Sequence, residues 1–231
     1  MRIGVLALQG DFARHRAALE QCGAEAIEVR RPEELADLDG LIIPGGESTT
    51  LLKLMDAWNF VPAIEKFHAA GKPIFGTCAG LILLAREVTR PSQFSLGLID
   101  VGVERNAYGR QRESFETRGT VALAGGRREI EMVFIRAPRI RRLGPGVETL
   151  ATHDGEPVLA QQGPVLVAAF HPELTEDLTV HRYFCALVRA ARAGVGPVFE
   201  RRLCRRNSLL GEASEGAAEA PSESSARERK P

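Results

Sequence analysis

With 231 residues, 44% of them apolar, the chain is long enough to enclose one sizeable hydrophobic core and too short for two full domains. Thirty basic and thirty acidic side chains cancel, and no basic block alternates with aromatics through the body of the chain, so the electrostatic footprint of a nucleic-acid binder is excluded. No stretch reaches the length of a membrane helix, and Cys22, Cys78, Cys185 and Cys204 are too scattered for a zinc or disulfide framework; the expectation is a cytoplasmic protein with free thiols, no metal and no cofactor, acting on a small molecule or a protein partner.

Ile3 to Leu8 is a short, nearly continuous apolar run, the pattern of a strand buried on both faces of a parallel sheet. Phe12 to Cys22 has helical character and closes at Gly23. Strand-like segments follow at Ala26 to Val29 and Gly40 to Pro44, separated by Arg31 to Leu35, where Pro32 and two acids mark the start of a short helix. The second of these strands runs into Gly45-Gly46-Glu47-Ser48-Thr49-Thr50, a glycine turn opening a helix, with Ser48 or Thr49 as the predicted cap.

Pro73-Ile74-Phe75 leads into Gly76-Thr77-Cys78-Ala79-Gly80 and then Leu81 to Ala85, which predicts strand, sharp turn and helix with a thiol at the apex. Small residues two positions before and after a nucleophile let the backbone fold tightly enough to push its side chain up. The helix start then points N–H groups and positive dipole at the sulfur, favouring the reactive thiolate. From Leu96 to Phe170 the pattern changes to shorter strands, such as Thr117 to Leu123, Met132 to Ile135, Glu148 to Ala151 and Pro157 to Ala160. This block is expected to be antiparallel and to pack on or extend the sheet.

Val165 to Phe170 reads as a buried strand that ends by delivering His171 and Glu173. Asp177 to Ala191, with Leu178, His181, Phe184, Leu187 and Val188, is the closing amphipathic helix. Beyond it the composition breaks into Arg, Ser, Ala, Glu and Gly, so the predicted organisation is one domain over residues 1–194 and an unstructured tail over 195–231. The fold class is α/β: an open, mostly parallel sheet flanked by helices, with an antiparallel extension. In such sheets ligands bind outside the carboxyl ends of the strands, so both glycine turns and the end of the Val165 to Phe170 strand should meet at one crevice.

Cys78, His171 and Glu173 are then candidates for nucleophile, base and orienter. Alone, His171 would read as a hydrogen-bonded structural histidine and Glu173 as a solvated carboxylate at a helix start. Agreement between strand ends, spacing and residue types favours the catalytic reading.

Gly45-Gly46-Glu47-Ser48-Thr49, Gly76-Thr77-Cys78-Ala79-Gly80 and His171-Pro172-Glu173 together resemble a class I (triad) glutamine amidotransferase. The segments Gly4 to Gly10, Glu104 to Gln111, Phe134 to Pro138 and His171 to Asp177 further resemble the glutaminase subunit of pyridoxal 5′-phosphate synthase. The resemblance implies hydrolysis of L-glutamine to glutamate and ammonia through a glutamyl thioester, the ammonia passing to a TIM-barrel synthase subunit within a large hetero-oligomer. It also implies backbone N–H groups of Gly46 and Ala79 at the oxyanion and Gly46, Glu47, Ser48, Arg105, Ile135 and Arg136 around the substrate. Gln9 resembles a position near the pocket and the synthase interface. The alternatives are a glutaminase serving another biosynthetic acceptor, a peptidase-like hydrolase on the same scaffold, and a non-catalytic regulatory subunit. The residue after the cysteine is Ala79, where peptidase relatives carry His, which counts against the second. The intact Cys78 and His171 count against the third.

Overall fold

The apolar runs of the N-terminal half become the parallel part of one large sheet. The computed structural model describes residues 1–105, 114–123 and 126–194, so Asn106 to Gln111 of the family-like run, Cys204 and the 195–231 segment lie outside the described residues. In chain order the elements are β1 (Arg2–Leu6), α1 (Phe12–Gln21), β2 (Glu25–Val29), a 3-10 turn at Pro32–Leu35, β3 (Gly40–Ile43), α2 (Ser48–Ala57), α3 (Phe60–Ala69), β4 (Ile74–Thr77), α4 (Ala79–Leu84), β5 (Ala85–Thr89) and β6 (Ile99–Glu104). There follow β7 (Ser114–Leu123), β8 (Gly126–Ile135), β9 (Arg139–Leu143), β10 (Glu148–His153), β11 (Glu156–Gln162), β12 (Val165–Ala168), a second 3-10 turn at Pro172–Leu174 and α5 (Thr179–Arg192).

Among the described residues the large sheet has nine strands in the order β2-β1-β3-β4-β12-β11-β10-β7-β8. The pairs from β2 to β12 are parallel and those from β12 to β8 antiparallel. Every residue of β3, β4 and β12 is buried, which is why these strands read as unbroken apolar runs and not as alternation. Because successive strand residues face opposite ways, Phe75 and Thr77 point to one face and Gly76 to the other. Phe75 meets Phe184 of α5 with ring centroids 5.6 Å apart, and Gly76 lies against α4.

The antiparallel half curls. Although β8 is the far edge strand, Val133 O accepts the His171 backbone N–H at 2.8 Å, so β8 returns to the end of β12. Phe134 fills the curl, stacked on Phe115 at 4.6 Å and 5.8 Å from Phe170.

The α/β class, the N-terminal order and the antiparallel extension agree with the sequence reading. Three details differ from it. Part of the Leu96 to Phe170 block leaves the main sheet: β6 pairs parallel with β5 and antiparallel with β9 in a separate three-stranded sheet. The helix α3 has no counterpart in that reading, although its buried Phe60, Ile64 and Phe67 recur at helical spacing. The cap of α2 is Glu47, not Ser48 or Thr49, because its longer carboxylate reaches the Thr49 and Thr50 N–H groups at 3.0 and 2.7 Å.

Candidate active site

Cys78 stands between β4 and α4 with φ 48° and ψ −98°, a left-handed conformation that a side-chain-bearing residue adopts only under constraint. Its N–H donates to Ala168 O of β12 at 2.8 Å, which ties the turn to the neighbouring strand. The flanking glycines are required by close approach. A Cβ on Gly80 would fall on the Ile43 carbonyl oxygen of β3, and one on Gly76 would lie 2.6 Å from the Gly80 carbonyl carbon. Ala79 opens α4, so its N–H is among the first-turn donors that the helix itself cannot satisfy.

The strand after the turn delivers the rest. His171 follows β12, is 7% exposed, and its Nδ1 lies 2.7 Å from Glu173 Oε1. The Gly45 backbone packs so closely on the imidazole that a Cβ there would overlap the ring. Burial disfavours the charged imidazole, but hydrogen bonds and charge from Cys78 and Glu173 outweigh it and raise the His171 pKa to about 10. Glu173 is held well below the usual carboxylate range: its burial opposes ionisation, and the charges and hydrogen bonds of His15 and His171 overcome that. The Cys78 Sγ lies 3.8 Å from Ile135 O, within reach of S–H donation to the end of β8.

These groups open into a cavity of about 480 Å³ lined by Gly46, Glu47, Ser48, Cys78, Ile82, Arg105, Ser114, Ile135, Arg136 and His171. Each side-chain position expected around a substrate therefore reaches one pocket, with Ile82 and Ser114 added. Ser114 heads β7 beside Ile135, its partner in register, a neighbour that only the hairpin pairing reveals. Arg105 is pinned at the rim, donating to Thr49 Oγ1 at 3.2 Å and lying 3.6 Å from Glu47 Oε1. The Glu47 pKa falls to about 2: desolvation opposes ionisation, but hydrogen bonds from Thr50 and Thr49 exceed it. Ser48 donates to Gln93 Oε1 at 3.1 Å, and Gln9 Oε1 accepts the Glu47 N–H at 3.2 Å. Arg136, at φ 45°, is exposed. No helix among the described residues is long and apolar enough to cross a membrane.

A buried nucleophile, an imidazole in contact with it and a carboxylate on the far side of the ring can transfer an acyl group to sulfur and then to water. Comparison with known proteins points the same way. A model of the SNO glutamine amidotransferase family matches residues 5–190. The chain is 55% identical over 194 residues to the pyridoxal 5′-phosphate synthase subunit PdxT of Koribacter versatilis, an alignment that spans 84% of this chain and 99% of that one. It is 50% identical to PdxT of Thermosipho africanus, over 82% of this chain and 100% of the relative. A solved glutamine amidotransferase at 52% identity superposes with a TM-score of 0.76 over 80% of this chain and 98% of its own. A chain of the PurLQS structure from Thermotoga maritima shares the fold at 16% identity, with a TM-score of 0.62 over 82% of this chain and 98% of its own.

Proposed function

The chain belongs to the SNO glutamine amidotransferase family and hydrolyses glutamine, and we propose that Cys78, His171 and Glu173 perform the hydrolysis for a pyridoxal 5′-phosphate synthase. The observation that carries this reading is Cys78 and His171 lining one pocket, with the nucleophile at a positive-φ turn and Glu173 buried behind His171 at 2.7 Å.

His171 takes the thiol proton of Cys78, and its raised pKa keeps that proton on the imidazole at neutral pH. The sulfur attacks the side-chain amide carbon, and the tetrahedral oxyanion takes hydrogen bonds from the Gly46 and Ala79 backbone N–H groups. Loss of one such donor typically slows acyl transfer by about 10²- to 10³-fold. As the C–N bond breaks, His171 gives its proton to the departing nitrogen and ammonia leaves. The imidazole next takes a proton from water, the hydroxide attacks the thioester carbon, and glutamate leaves as the C–S bond breaks. Glu173 accepts the Nδ1–H throughout and keeps Nε2 toward the reacting atoms.

At the rim, Arg105 and Arg136 supply positive charge for the α-carboxylate of glutamine, while Glu47, Ser48 and Ile135 shape the pocket around the rest. The ammonia acceptor is a separate TIM-barrel synthase subunit in a hetero-oligomer, and the complex works in the cytoplasm.

Cys78→Ala is expected to reduce ammonia release from glutamine by at least about 10⁴-fold with the fold retained, as for the loss of a covalent nucleophile. With the synthase subunit present, the same variant should make product from ammonium salt but not from glutamine. Normal glutamine turnover in Cys78→Ala would remove the mechanism.

A further inference from the structure

Behind the pocket the row of polar groups continues into the core. We infer that His15 is a positioning residue that fixes the Glu173 carboxylate from the side opposite His171, and that His181 sets the ring of His15 for that task. The inference builds on the glutaminase reading, because its purpose is to hold the orienter of His171.

His15, on α1, has no solvent exposure. Its Nε2 is 3.3 Å from Glu173 Oε2 and 3.2 Å from Thr77 Oγ1, and its Nδ1 is 3.0 Å from Nε2 of the equally buried His181 on α5. Glu173 thus meets one histidine at each oxygen: His171 at Oε1 and His15 at Oε2. Oε2 has no solvent exposure to fall back on and no well-aligned hydrogen bond among the described residues, so the His15 Nε2 at ion-pair distance is the basic neighbour it has.

The proton count fixes the direction of these contacts. Burial pushes the His181 pKa down to about 3, so His181 is neutral and carries one ring proton. Its Nδ1 has no hydrogen-bond partner among the described residues, so a proton there would be a buried orphan. With the proton on Nε2, His181 donates to His15 Nδ1, and a neutral His15 must then carry its own proton on Nε2. The other arrangement, His15 Nδ1–H donating to His181, would turn a lone pair of neutral His15 toward a carboxylate unless His15 were fully protonated. Either arrangement that avoids this repulsion places an Nε2–H of His15 between Thr77 Oγ1 and Glu173 Oε2.

Titratable groups facing His15 are Glu173 from the turn after β12 and His181 from α5. β4 contributes Thr77 and the edge of Phe75, whose ring centroid is 6.3 Å away. The charged neighbours on α1 face outward, with Arg16 paired to Glu28 of β2 at 2.9 Å. Removing His15 would leave the buried Oε2 without its basic neighbour, so Glu173 would bind a proton more readily and could turn away from His171.

The test uses the full-length chain and compares His15→Leu, which removes both nitrogens, with His15→Gln, whose amide N–H stands close to where Nε2 lies. His15→Leu should lower kcat by about 10- to 100-fold with KM within about twofold, since small misplacement of a catalytic group costs up to about 10². Iodoacetamide labelling of Cys78 as a function of pH reads the Cys78–His171 pair without glutamine. Its acid limb should move to higher pH in His15→Leu and return toward wild type in His15→Gln. An unchanged limb and kcat in His15→Leu, or equal losses in both variants with no movement of the limb, would overturn the inference. Should His15→Leu fail to fold, His15→Asn, whose amide is too short to reach Oε2, replaces it against His15→Gln with the same outcomes. Absence of ammonia release from wild-type protein assembled with the synthase subunit would refute the glutaminase reading separately, because the labelling profile does not depend on it.

Discussion

The wall of the pocket that carries Cys78 and His171 grows from strands buried along their whole length, whereas the wall that carries Ile135 and Arg136 is the end of a hairpin strand whose residues are mostly exposed. On the first wall a main-chain bond fixes each functional group: the Cys78 N–H to Ala168 O of β12, and the His171 N–H to Val133 O, which β8 of the second wall supplies, both at 2.8 Å. On the second, Ile135 is 39% exposed and Arg136 sits at φ 45°. The difference matches what each wall must do. Proton transfer and nucleophilic attack tolerate little displacement, while holding the charged end of a small substrate is a task for side chains at an accessible rim.

A substitution that disturbs the buried wall without touching a reacting atom is the strongest way to break this contrast. In Gly80→Ala the new methyl would strike the Ile43 carbonyl, so α4 and Cys78 must shift. The expected result is a loss of kcat of about 10²-fold and of stability by about 1–3 kcal/mol, read by steady-state ammonia release and by urea denaturation. Wild-type kcat in this variant would show that the elbow has slack.

At the rim the expected signature is different. Arg105→Leu or Arg136→Leu should raise KM for glutamine by about tenfold, with kcat changed by less than about threefold, since a charge-assisted hydrogen bond contributes roughly 1.5–3 kcal/mol. If kcat fell instead and KM held, the arginines would belong with the chemistry and the division between the walls would disappear.

The smallest effect should come from outside both walls. Truncation after Gly194 is expected to leave glutaminase rate and thermal midpoint within experimental error. The 194-residue alignment with the Koribacter versatilis relative already accounts for 99% of that protein. A drop in either quantity would show that residues 195–231 contribute to the folded unit.

The same contrast explains what the sequence disclosed. Strands buried on both faces are written as continuous apolar runs, and the strand-to-helix turn needs glycines where backbones touch, so β3, β4, β12 and the Cys78 elbow are legible from residue types alone. His171 and Glu173 follow because a buried strand must end somewhere, and it ends on them. The hairpin wall can be named only through resemblance: exposed alternation says nothing about which distant edge a strand curls back to meet. Ser114 is invisible for that reason. His15 leaves a fainter signal, a histidine on the buried stripe of α1 with Ala18 and Leu19 three and four positions on. His181 stands similarly with Phe184 and Cys185 on α5. A histidine on an apolar stripe is usually only a core residue, and nothing local tells which carboxylate it will meet.

The place of β12 in the sheet has a consequence for how the molecule is made. Among the described strands this one comes last in the chain, yet it lies between β4 and β11, and until it arrives β4 presents an unpaired edge of apolar residues. A nascent chain that has emerged only as far as β11 therefore has its nucleophile but no base, and it carries the kind of open edge on which other chains can pair. Closing the gap joins segments about ninety residues apart in sequence, which makes it a slow, late step. Ammonia chemistry thus switches on only after the sheet is sealed, and a ribosome stalled before Val165 would release a chain more prone to aggregate than to react.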